Sequence, residues 1–94
     1  ENKEHIERGD LCIIKDLFQH WDNNSINSLL SHFVNNKTFK YILIVNSRNQ
    51  RNNNQDLNRL GDLRELTARL NPLANYKSRI LFNYENKEVS LIIN

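Results

Sequence analysis

Phe39-Lys40-Tyr41-Ile42-Leu43-Ile44-Val45-Asn46 is the stretch on which the fold turns. Its β-branched and aromatic residues, set between Asn35-Asn36 and a long polar run, predict a strand. Alternation puts Phe39, Tyr41, Leu43 and Val45 on one face and Ile42 and Ile44 on the other. A strand apolar on both faces needs cover on both, so it belongs inside a sheet and not at its edge. At roughly 1.5 to 3 kcal/mol per buried side chain, these residues contribute on the order of 10 kcal/mol.

Downstream, Ser47–Gln55 holds no apolar residue and reads as a loop. Asp56 then reads as the cap of a helix with Leu57, Leu60, Leu63, Leu66 and Leu70 on one stripe, stopped by Asn71-Pro72. Gly61 inside that helix costs up to about 1 kcal/mol. Apolar alternation on both sides of Glu85-Asn86-Lys87-Glu88 predicts a hairpin. A two-residue Asn86-Lys87 turn would set Tyr84 opposite Val89, Phe82 opposite Leu91 and Ile80 opposite Ile93, all on one face, with Glu85 facing Glu88 as the unfavourable pair.

Upstream, residues 1–9 are charged and read as an entry segment or linker. Asp10 is the expected cap of a first helix with Leu11, Ile14, Leu17, Phe18 and Trp21 on its apolar stripe. Ser25 is the expected cap of a second, presenting Ile26, Leu29, Leu30, Phe33 and Val34. The order helix, helix, strand, helix, strand, strand defines an α/β (α+β) fold, a single domain over 10–94. A small three-stranded mixed sheet packed with helices is expected, with a right-handed crossover that pairs the first strand parallel with the next and a hairpin that adds an antiparallel strand. A winged helix would need two helices between the first strand and the wing, where one is predicted.

Ninety-four residues suffice for one modest core, and 17 of them are Asn, which favours short elements and prominent connections. The run Tyr41–Val45 is too short to cross a bilayer, and no secretory pattern opens the chain. A chain that opens on Glu1 and contains no Met reads as a mature product or excised domain. An apolar segment of about 20 residues before Glu1 would mark a membrane protein. The single cysteine, Cys12, excludes an intramolecular disulfide and a Cys-rich zinc site. Net charge is +2, but residues 1–36 carry three basic and six acidic side chains, and residues 37–81 nine basic and three acidic. That asymmetry keeps a small nucleic-acid-binding domain acting through segment 37–81 as the alternative function.

Cys12, Asp16 and His20 recur every fourth residue and would line the polar side of the first helix. A convex helix face offers neither a pocket nor oxyanion donors, so no catalytic or metal site is assigned to them. Cys12 lies off the apolar stripe and is the candidate redox-active or intermolecular thiol. Asn23-Asn24-Ser25 and Asn36-Lys37-Thr38 fit the glycosylation pattern, at about the frequency chance allows for this composition. Arg48 and Arg51, in the loop after the central strand, are candidate partner or anion contacts, though that loop has neither glycines to wrap phosphate nor aromatics to stack a base. Ile80, Phe82 and Tyr84 complete the partner-binding candidates, as an apolar row on a strand that can present a free sheet edge. No cofactor is expected.

Three pieces resemble the periplasmic sensory domain of ToxR-type membrane-bound transcription regulators, including the VtrA-like branch. They are Asp10-Leu11-Cys12-Ile13-Ile14-Lys15, the strand Lys40–Asn46, and the hairpin Ile80–Tyr84 with Val89–Asn94. The resemblance covers about a third of the chain. It implies an excised sensor that follows a transmembrane helix, pairs with a small companion membrane protein as a heterodimer, and responds to bile salts. The family commonly carries two cysteines, whereas this chain has Cys12 alone. The expected function is accordingly a non-enzymatic sensory or protein-interaction domain.

Overall fold

Phe39–Ser47 forms a strand in the interior of a sheet, as its two apolar faces require. The computed structural model describes residues 9–50, 54–56 and 64–94. Among them the elements run β1 (Gly9–Lys15), α1 (Asn23–Asn35), β2 (Phe39–Ser47), β3 (Arg79–Tyr84) and β4 (Lys87–Ile93), with 3-10 turns at Phe18–His20 and Leu73–Tyr76. The fold is α+β, a four-stranded mixed sheet of order β1-β2-β4-β3 with α1 on one side. Strand β2 pairs in parallel with β1, Leu11 opposite Tyr41 and Ile13 opposite Leu43. On its other side it pairs antiparallel with β4, Leu43 opposite Leu91 and Val45 opposite Val89.

The fourth strand arises where a helix was expected. Leu11-Cys12-Ile13-Ile14 satisfies a helical stripe and a strand equally, because four apolar residues in a row are too few to show a period. The ladder to β2 decides in favour of the strand: Ile14 enters the core while Leu11 and Ile13 point to the far side. Asp16, at φ 54, ends β1 with its N–H on the Val45 carbonyl at 2.8 Å.

Helix α1 forms with the predicted apolar set, Ile26, Leu29, Leu30 and Phe33 all buried. Its cap is Asp22 and not Ser25; the Asp22 carboxylate accepts the Ser25 N–H at 2.8 Å. Asp56, expected to cap a later helix whose first turns lie outside the described residues, accepts the Asn23 N–H at 2.9 Å and so serves the start of α1. At the other end Lys37 turns left-handed (φ 49), and the Thr38 N–H bonds the Phe33 carbonyl at 3.0 Å. That six-to-one bond ends the helix and aims the chain into β2. There Phe39 meets the Phe33 ring edge-on, centroids 5.1 Å apart.

Of the expected third helix, Leu57–Leu63 lies outside the described residues, and 64–70 is not helical. Leu66 forms a parallel bridge with Arg48, and its N–H bonds the Ser47 carbonyl at 2.9 Å. Side chains supply the bonding that a helix would have made internally. The buried Glu88 carboxylate accepts the Thr67 hydroxyl and the Ala68 N–H, each at 2.8 Å. Asn54 accepts the Thr67 N–H at 3.0 Å and donates to the Thr67 and Asn71 carbonyls at 3.0 and 2.9 Å. Asn46 donates to the Leu66 carbonyl at 2.7 Å. Held in this way, Leu66, Ala68 and Leu73 join the core with Ile42, Ile44 and Ile92.

The hairpin forms two residues out of the expected register. Its turn is Glu85-Asn86, Glu85 at φ 51, with Tyr84 opposite Lys87 and Phe82 opposite Val89. The observed register separates Glu85 from Glu88, which faces Asn83 and Asn46 and reaches the Thr67–Ala68 donors. A bulge between Ile80 and Phe82 then splits the expected row: Ile80, opposite Ser90, packs on the core, while Phe82 does not. Strand β4, not β3, lies beside β2, which leaves β3 at the edge.

Candidate interaction surface

Residues paired across a sheet share a face, so the register assigns every side chain to one of two sides. Cys12, Ile42 and Ile92 form one row on the helix side, and Ile14, Ile44, Ser90 and Ile80 form the next. This side is packed by α1, Phe18, Leu66 and Leu73. The other side carries Leu11 and Ile13 from β1, Tyr41, Leu43 and Val45 from β2, Val89, Leu91 and Ile93 from β4, and Phe82 and Tyr84 from β3. None of these residues belongs to the core cluster packed under α1. Leu11 is 52% exposed, Ile13 59%, Phe82 55%, Tyr84 39% and Ile93 56%. Single exposed apolar residues are ordinary, but five on one side of a sheet, drawn from β1, β3 and β4, are the pattern of a docking surface. Covering these five would stabilise by about 5 kcal/mol, at roughly half of 1.5 to 3 each, before the cost of association.

The predicted candidates distribute unevenly on this frame. Phe82 and Tyr84 stand on the uncovered side with rings 6.3 Å apart, whereas Ile80 is half-buried against the core. Arg48 is pinned at the end of β2: its N–H bonds the Asn86 carbonyl at 2.8 Å, and its buried Nε meets no hydrogen-bond partner among the described residues. Arg51 lies outside the described residues.

Cys12, Asp16 and His20 do not form a row. Cys12 is on β1, half-buried and turned to the covered side, where burial pushes its thiol up, away from the reactive thiolate. Asp16 lies past the strand, paired with Lys87 at 2.6 Å, and His20 is exposed in the following 3-10 turn.

One basic residue of segment 37–81 proves internal. Arg64 is buried, donating to Asn23 Oδ1 at 2.5 Å and to the Trp21 and Gln55 carbonyls at 2.7 and 3.1 Å, beside Asp56 at 3.5 Å. Burial pulls its guanidinium down, and the Asp56 and Asp22 carboxylates oppose that pull. The uncovered face itself escaped sequence reading because its β1 half was assigned to a helix.

No family model matches the chain, and no curated protein or solved structure matches it either.

Proposed function

We propose that this is a non-enzymatic sensory or protein-interaction domain that docks a partner on the uncovered face of its sheet. The observation that carries the proposal is the exposure of Leu11, Ile13, Phe82, Tyr84 and Ile93 on one side of the sheet. Sheets apolar on both sides are covered on both sides in stable assemblies. The wider setting rests on the sequence resemblance alone: the periplasmic part of a membrane-bound transcription regulator, a small companion membrane protein as partner, and bile salt as ligand.

The docking role is tested by placing a photo-crosslinking amino acid at Phe82 or Ile13 of the parent protein in its native cell, with exposed Asn24 of α1 as the control position. A discrete adduct from the two sheet positions and none from Asn24 is the expected result. Identical products from all three positions, or none from any, would remove the basis for a docking face.

A further inference from the structure

We draw no further inference here: the strongest candidate, the outer edge of β1, where Leu11 and Ile13 stand exposed at the end of the sheet, carries none because nothing in the structure shows what covers it.

Discussion

Glu88→Leu puts the side-chain framework of this fold to its most direct test. Glu88 is 2% exposed and holds the Thr67 hydroxyl and the Ala68 N–H, both themselves buried. Leucine keeps approximate volume but strands the two donors, at about 1 to 3 kcal/mol each. Relief of the buried carboxylate and a gain in apolar burial offset part of this, leaving a loss of about 3 kcal/mol. A 94-residue domain has only about 5 to 14 kcal/mol in total. Glu88→Gln should be milder, about 1 kcal/mol, since its oxygen can take the Ala68 N–H while the Thr67 hydroxyl turns from donor to acceptor. Urea unfolding followed by circular dichroism separates the variants: with a slope near 1.5 kcal/mol per molar, Leu should lower the midpoint by about 2 M and Gln by less than about 1 M. Adding Thr67→Val to Glu88→Leu removes one stranded donor and should recover about 1 kcal/mol. A Glu88→Leu midpoint at or above the parent, with unchanged slope, would refute the reasoning. Burial of the carboxylate would then outweigh its two hydrogen bonds.

Ile44→Ala, at a fully buried site, should cost about 2 to 5 kcal/mol, whereas Ile13→Ser on the uncovered face should stay within about 1 kcal/mol in the same urea assay. The hydrogen bond from Ser25 holds the Asp22 carboxyl below its ordinary value, so the cap contributes fully above the usual carboxylate range and is lost as pH falls through the lower folded value. An acid titration of the helical circular dichroism signal should show that loss, and Asp22→Asn should flatten it. Because burial raises the Cys12 thiol, iodoacetamide at mildly alkaline pH should alkylate the folded domain more slowly than the urea-unfolded chain. Equal rates would place Cys12 in solvent.

How much of this was legible in the sequence depends on what each element answers to. Helix α1 was readable because its apolar pattern is long enough to show a period, and strand β2 because its β-branched and aromatic run is bounded by Asn-rich breaks. Strand β1 was not: its four-residue run fits two periods, and the ladder to β2, some thirty positions away in sequence, chooses between them. The Leu66–Leu70 stretch carried a true core residue, Leu66, but its backbone conformation is set by Glu88, Asn54 and Asn46, long-range partners that no local window contains. Phe82 and Tyr84, expected on an apolar row of the hairpin, are exposed on the sheet. Ile80 was misplaced because a bulge leaves no mark in an alternating sequence, and Leu11 and Ile13 were hidden by the helix reading.

The antiparallel pairing of β2 with β4 has a consequence for synthesis. Ser47 pairs with Lys87, forty positions later in the chain. At about 5 to 20 residues per second, a ribosome needs roughly 2 to 8 s to deliver that partner. Throughout this interval β2 can complete its ladder only with β1, and the side of Tyr41–Ser47 destined for β4 offers bare backbone groups flanked by apolar residues. A nascent chain at that point is a template for any neighbouring strand of matching pattern. Crowded polysomes are therefore where this protein is most prone to mispair, and a chaperone that shields Tyr41–Val45 for a few seconds would protect it most.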